Sequence, residues 1–177
     1  QVYADIPSED IAERLAARRR AGGGPQSVRD SAGAGGDRDV SDEICDFEEY
    51  SWLYHESWRD PDVRWLLSTV PSCMILDDHD LRDDWNSSHS WRREMTAQPW
   101  WRDRVTGAFS SYFVYQHLGN LSPGELETNE VYNRLRTAGS DAEREGILAD
   151  FSIHADTRRG AAQWSFHRDF GRVRVVM

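Results

Sequence analysis

Apolar residues recur at helical spacing along much of the chain. In the first such stretch Ile11 and Leu15 share one face, and Ser8 is placed to cap the N-terminus. Asp46 and Glu49 form the pattern of a capping box at the start of a second helix. The buried face predicted for this second helix carries aromatic residues at three- and four-residue spacing, Phe47, Tyr50, Tyr54 and Trp58. Both stretches are typical of amphipathic helices that pack against a core.

Further helices are predicted downstream. Pro61 is in the favoured first position of a third helix, which follows Asp60 and ends before Pro71. Its inward face is predicted to carry Trp65, Leu66 and Val70. A longer helix has one apolar stripe made by Val105, Ala108, Phe109, Tyr112, Phe113 and Gln116. Two more helix starts are predicted at Ser122-Pro123-Gly124-Glu125 and at Ser140, with Glu143 in its capping box.

Two short apolar runs predict strands. Residues 72–76 are bounded by Pro71 and Asp77, and such a run is typical of a strand buried on both faces. Residues 170–176 alternate and then become fully apolar, which predicts a second strand. Helices that alternate with a few widely spaced strands indicate the α/β fold class.

The organisation predicted for residues 1–177 is a single domain with one interruption. The stretch 21–40 is rich in Gly, Arg, Asp and Ser and almost without apolar side chains, so we expect a flexible insertion there. The chain starts at Gln1 without Met and stops at Met177 inside a predicted strand. We therefore expect both ends to be truncated, which leaves localisation unknown.

Charge and composition exclude some classes of partner. The net charge of −10 argues against nucleic acid as the main partner, because phosphate contacts need clustered cations. No apolar run approaches the roughly 20 residues that cross a bilayer. The two cysteines, Cys45 and Cys73, are too few for a disulfide framework and are interpreted as free thiols. The oligomeric state is not indicated.

The chemistry-bearing residues lie directly after the first predicted strand. Residues 77–86 contain five aspartates, one histidine and one asparagine: Asp77, Asp78, His79, Asp80, Asp83, Asp84 and Asn86. Clustered carboxylates repel one another unless a cation is present, and oxygen with imidazole ligands suits divalent metals. Asp80 is placed to orient His79 as a supporting partner. The alternative is a solvated acidic turn that caps the following helix.

These residues resemble the motifs of the PhoD-like phosphatases, the alkaline phosphatase D family. Residues 1–5 are similar to the end of that family's Gly-Asp-Gln-(Ile/Val)-Tyr-Ala-Asp motif. Residues 77–80, followed by Asp83 and Asn86, resemble its Asp-Asp-His-(Glu/Asp) motif with trailing polar residues. The aromatic helix 100–116 and the segment 170–176 are also similar. The resemblance implies part of a metallophosphoesterase fold, an αββα sandwich.

The resemblance also implies a binuclear centre, with iron and calcium as its metals. Tyr3 matches an iron ligand, and Asp78 and Asp83 match further metal ligands. His79 matches the catalytic histidine that contacts phosphate or protonates the leaving group. Asp5, Asp80 and Asn86 are expected in a supporting shell or as additional ligands. At the position of Asp83 the family commonly has Asn, so the metal that this chain prefers is open.

The function that this resemblance implies is metal-dependent hydrolysis of phosphate monoesters or diesters, with a small-molecule phosphoester as substrate. Other ligands of the family's centre, including a bridging Asp before Gln1, are absent from the chain. We therefore expect the fragment alone to lack part of the site. The alternative hypothesis is a non-catalytic module of the same fold that binds a metal or a partner.

Overall fold

The computed structural model describes residues 2–32, 40–158 and 160–177. The first helices are α1 (Glu9–Arg20), α2 (Gln26–Ser31), α3 (Phe47–Arg59) and α4 (Pro61–Thr69), with a 3-10 turn at Val40–Asp42. A second 3-10 turn at Asp78–Asp80 precedes α5 (His89–Thr96) and α6 (Trp101–Tyr112). A π turn (Phe113–His117) leads from α6 into α7 (Leu118–Asn120). The remaining elements are α8 (Pro123–Thr128), α9 (Glu130–Thr137), α10 (Asp141–Thr157) and an antiparallel hairpin of β1 (His167–Phe170) and β2 (Val173–Val176).

The molecule is thus mostly helical, at 62%, with one small two-stranded sheet among the described residues. The predicted α/β class holds only in that helices and a small sheet are both present, and the αββα sandwich stays a prediction. Among the described residues, no helix has the length and apolar character that a membrane crossing requires.

Helix starts lie where the local sequence predicts them. The Ser8 hydroxyl accepts a hydrogen bond from the Ile11 amide at the start of α1. Asp46 and Glu49 form the predicted capping box of α3, and Pro61 begins α4. These contacts satisfy amide groups that a helix leaves without internal partners. Ser122 and Ser140 cap α8 and α10 in the same way.

Helix α6 lies at the centre of the core, and nine of its twelve residues are buried. It packs against α3 on one side and α10 on another, where the Ser110 and Ser152 hydroxyls lie 3.0 Å apart. The predicted stripe of this helix is confirmed, since all six of its residues, which extend into the π turn, are buried. Burial of each large side chain of this kind contributes about 1.5–3 kcal/mol to stability.

Residues 2–5 form an extended segment that is packed between two other parts of the chain. Val2 and Ala4 are buried, with Ala4 fully so. The Ala4 amide donates to the His79 carbonyl at 3.1 Å, and its carbonyl accepts from the Ile44 amide at 2.9 Å. This segment therefore links the second 3-10 turn, Asp78–Asp80, to the residues before α3.

The predicted strand at 72–76 is wrong for the described residues. The segment has no regular structure, and Ile75 is 46% exposed. A strand needs a neighbouring strand for its amide and carbonyl groups. Here the side chain of Asn120 takes that place: its Oδ1 accepts from the Met74 amide at 2.9 Å and its Nδ2 donates to the Met74 carbonyl at 2.7 Å.

The apolar face predicted to point inward on α4 is exposed. Trp65 on α4 is 64% exposed, and no residue of α4 is buried. Leu66 and Val70 are exposed as well, so the predicted inward face of α4 is wrong.

The predicted strand at 170–176 is confirmed for residues 173–176, which form β2. Phe170 is the last residue of β1, and positions 171–172 form the turn between the two strands. Gly171 makes that turn possible with a φ of 62°, in the left-handed region that glycine adopts without strain.

The predicted flexible insertion at 21–40 contains a short packed helix, which corrects that expectation for residues 26–31. Helix α2 buries Val28 completely, and Val40 is also buried. Thus Val28, one of the few apolar residues of the stretch, gives it an anchor. Positions 33–39 of the predicted insertion lie outside the described residues.

Gly107 marks the closest approach of α6 to the residues before α3. A Cβ atom at this position would lie 2.2 Å from the Cys45 carbonyl oxygen, and the next nearest atoms are also backbone. Backbone atoms cannot move aside as a flexible side chain can. The glycine is therefore required for the spacing between α6 and the start of α3.

We predict that Gly107→Ala lowers the free energy of unfolding by about 1–3 kcal/mol through overpacking. Gly146→Ala in α10 is the matched control, because nothing lies within 4 Å of its Cβ position. The control should raise stability by about 0.5–1 kcal/mol through its helix propensity. Urea unfolding of both variants measures the difference, and equal stabilities would contradict the close approach.

Candidate metal centre

The loop 77–86 is held by backbone contacts to distant parts of the chain. The Tyr50 hydroxyl donates to the Asp80 carbonyl at 2.7 Å, and Arg104 Nε donates to the Leu81 carbonyl at 2.6 Å. The Ala4 amide donates a hydrogen bond to the His79 carbonyl, as described above. The loop therefore has fixed backbone positions although it contains only a single 3-10 turn.

Arg104 is the main anchor of this loop. Its guanidinium is fully buried and donates to the carbonyls of Leu81 and Ile44 and to the Glu43 carboxylate. The other Glu43 oxygen lies 3.2 Å from Arg82, a residue of the loop itself. One buried cation thus joins α6, the segment before α3 and the loop.

The loop brings together three side chains with atoms that can coordinate a metal, named below as the ligand group. Single atoms of the Asp78, His79 and Asp83 side chains all lie within 4.8 Å of one another. His79 Nε2 is 3.8 Å from Asp83 Oδ1. Asp78 and His79 are partly buried and Asp83 is exposed, so the group faces solvent. Two carboxylates and an imidazole are a donor set that fits a divalent cation.

Tyr3 lies beside this group. Its ring centroid is 4.8 Å from that of His79, and the side chain is 46% exposed. The structure therefore places Tyr3 against His79, although about 75 positions separate the two residues along the chain.

Asp5 contacts two members of the ligand group, His79 and Asp83. Its side chain is buried, with one oxygen 3.1 Å from His79 Nδ1 and the other accepting from the Asp83 amide at 2.9 Å. Burial would raise the pKa of the Asp5 carboxyl, but the hydrogen bonds from Asp83 and His79 hold it below its usual value. A carboxylate on Nδ1 leaves Nε2 of His79 directed to the ligand group.

The charge on His79 responds to the same neighbours. Burial acts to lower the pKa of His79, but the surrounding carboxylates, Asp5 first among them, raise it above its usual value. An imidazole that favours protonation beside carboxylates can donate a proton or contact an anion.

Asp80 and Asn86 lie apart from the ligand group. Asp80 is buried, accepts from the Asp77 amide at 2.9 Å and lies 3.4 Å from Gln116 Nε2. Burial raises the pKa of Asp80 to about 6. The partner that contacts His79 is therefore Asp5, and Asp80 orients the loop backbone. Asn86 is exposed and its Oδ1 is 3.5 Å from Arg92.

The loop also contains left-handed backbone. Asp84 has a φ of 62° and Asn86 a φ of 65°, and they are the only non-glycine residues of the described chain with positive φ. Asp and Asn tolerate this region better than other side chains. Such conformations cluster at functional sites, where the surrounding structure enforces them.

Sequence reasoning missed Arg104, Glu43 and Tyr50 as residues that position the loop. One signal for Arg104 was available: it occupies the same helical stripe as Val105, Ala108 and Phe109. A single cation on an otherwise apolar helix face indicates a buried charge with specific partners.

Together, the fold and the ligand group define a helical protein with a candidate metal site on a fixed loop. The sequence model of the family described as PhoD-like phosphatase matches residues 19–144, more than two thirds of the chain. The chain belongs to the PhoD-like phosphatase family, and this membership implies a hydrolase that acts on phosphoesters. The matched segment contains Asp78, His79 and Asp83 but not Tyr3 or Asp5. No curated protein and no solved structure gives a significant match.

We predict that Arg104→Met lowers the free energy of unfolding by about 3–5 kcal/mol, because it leaves buried polar groups without their cation. The control Arg102→Met removes an exposed arginine from the same helix. It should change stability by less than about 0.5 kcal/mol. Thermal and urea unfolding distinguish the two, and a small effect at Arg104 would refute its role as anchor.

Proposed function

We propose that the protein hydrolyses phosphate monoesters or diesters at a metal centre on the loop 77–86. The observation that carries the proposal is the convergence of Asp78, His79 and Asp83 within 4.8 Å, with Asp5 fixed against His79. The family membership supports the same reaction class. A small-molecule phosphoester is the proposed substrate.

The proposed ligands are Asp78, Asp83 and Tyr3. Asp78 and Asp83 offer carboxylate oxygens, and Tyr3 lies against His79 at the edge of the group. A binuclear centre of iron and calcium is the metal content that the motif resemblance implies. When bound, such metals stabilise the charge on phosphoryl oxygens and lower the pKa of a bound water.

The proposed catalytic residue is His79. Asp5 contacts Nδ1, and Nε2 lies 3.8 Å from Asp83 Oδ1 on the other edge of the ring. From there His79 can donate a hydrogen bond to a phosphoryl oxygen or a proton to the leaving oxygen. Asp5 also fixes the Asp83 backbone, so one carboxylate sets the relative position of the acid and a ligand.

We predict that His79→Ala in the full-length protein lowers kcat for a generic phosphodiester by about 10²- to 10⁴-fold, since it removes the proton donor. Bound metal, measured by elemental analysis, should stay unchanged. His89→Ala is the control, because His89 is exposed and outside the ligand group. Loss of metal from His79→Ala would instead make His79 a ligand, and normal turnover would remove its catalytic role.

Asp78→Ala and Asp83→Ala should each lower the bound metal together with turnover. Asp84→Gly is the matched control, since it removes an exposed loop carboxylate and glycine tolerates the left-handed backbone. Unchanged metal content in the two alanine variants would refute the ligand set. Metal binding with no hydrolysis in the unmodified protein would favour the non-catalytic module.

A further inference from the structure

An open cleft of about 660 Å³ lies among α1, α3, α4 and the π turn, apart from the candidate metal centre. Arg14, Arg59 and Arg64 line it, together with aromatic rings that include Trp58 and Tyr115. No carboxylate is among its described lining residues. The volume is in the range of about 300–1,000 Å³ that small-molecule sites occupy.

Among the described residues, no carboxylate pairs with the arginines of the cleft. Among the described residues, the side chains of Arg59 and Arg64 make no hydrogen bond or ion pair, and the Arg14 guanidinium stacks 3.9 Å from the Trp52 ring centroid. Other arginines, such as Arg18, are paired with carboxylates. In a chain of net charge −10, a cleft with three arginines and no carboxylate in its described lining has a local positive potential.

Aromatic rings make up another part of the cleft lining. The rings of Tyr54 and Tyr115 stack with centroids 4.5 Å apart, and Trp58 meets Tyr54 edge-on at 5.2 Å. Tyr115 belongs to the π turn Phe113–His117, and π turns within α-helices are frequent at functional sites. The turn interrupts the α-helical repeat at the point where this ring reaches the cleft.

We propose that this cleft binds a small molecule that joins an aromatic ring to a phosphate, for example a nucleoside monophosphate. The phosphate would contact Arg59 and Arg64, whose guanidinium groups donate paired hydrogen bonds to such oxygens. The ring would pack on the aromatic wall, where stacking and the arginines both favour it. Tyr3, Asp78, His79 and Asp83 do not line the cleft, so this is a site separate from the candidate metal centre.

The test is calorimetric titration with adenosine 5′-monophosphate in buffer that contains a metal chelator. The arms with adenosine and with inorganic phosphate separate the two parts of the ligand. We expect one nucleotide per chain, and at least about tenfold weaker binding of each part alone, because each loses one set of contacts. Raising the ionic strength should weaken the binding of the nucleotide and leave the binding of adenosine unchanged.

Variants locate the binding. Arg59→Gln with Arg64→Gln should weaken nucleotide binding by about tenfold or more for each arginine. The control Arg93→Gln with Arg102→Gln makes the same change in net charge at exposed positions outside the cleft. Asp78→Ala with Asp83→Ala should bind the nucleotide normally. The proposal is overturned if the nucleotide does not bind or if adenosine binds as tightly as the nucleotide. It is also overturned if the control variant loses as much nucleotide affinity as the Arg59 and Arg64 variant, or if only the aspartate variant loses affinity.

Discussion

The burial of one guanidinium determines how the loop 77–86 is placed. Arg104 is fully enclosed, and a charge in that position is tolerated only when its donors are satisfied. Carbonyls of Ile44 and Leu81 and the Glu43 carboxylate supply the partners. Each partner comes from a segment without regular secondary structure of its own. The guanidinium therefore fixes the geometry that helix packing alone would leave open.

Hydrogen bonds to buried side chains also explain how the loop backbone is fixed although no strand precedes the loop among the described residues. Arg104 and Tyr50 hold consecutive carbonyls, of Leu81 and Asp80, from the helices α6 and α3. Two further hydrogen bonds fix the loop backbone. The Ala4 amide donates to the His79 carbonyl, and the Asp83 amide donates to the Asp5 carboxylate. Because α3 and α6 meet closely at Gly107, the two helical anchors keep a constant separation. A site supported by rigid elements in this way is more accurately positioned than one on an unsupported loop.

Whether the sequence predicts a structural feature depends on how far apart along the chain the interacting residues lie. Caps such as Ser8 and the pair Asp46–Glu49 act within three residues, so the local pattern predicts them correctly. Residues 72–76 also have a local pattern for a strand, but a strand exists only with a partner, and no described strand pairs with them. Trp65 has the spacing of a core residue, yet burial depends on what covers it.

The candidate site shows the same division. The acids and His79 are adjacent in sequence, so their type and spacing could be interpreted, and the motif resemblance added Tyr3. The contact of Asp5 with His79 joins positions 74 residues apart, and no periodicity encodes it. Asp80, the nearer acid, was the natural choice as partner of His79. It is turned inward instead, because its backbone and side chain both bond to buried groups.

Like charges on the loop persist because the backbone is held independently of them. Asp78 and Asp83 lie within a few ångströms of each other, and His79 offsets only part of their repulsion because it also faces Asp5. A loop free to move would separate these groups in the absence of a cation. Here the anchors at Leu81, Asp80 and the Asp83 amide act on main-chain atoms, so the backbone that carries these side chains is fixed independently of their charges. The folding energy of the helical core thus fixes the backbone positions of Asp78 and Asp83, and a cation at the proposed centre would have to supply only the remaining compensation of charge.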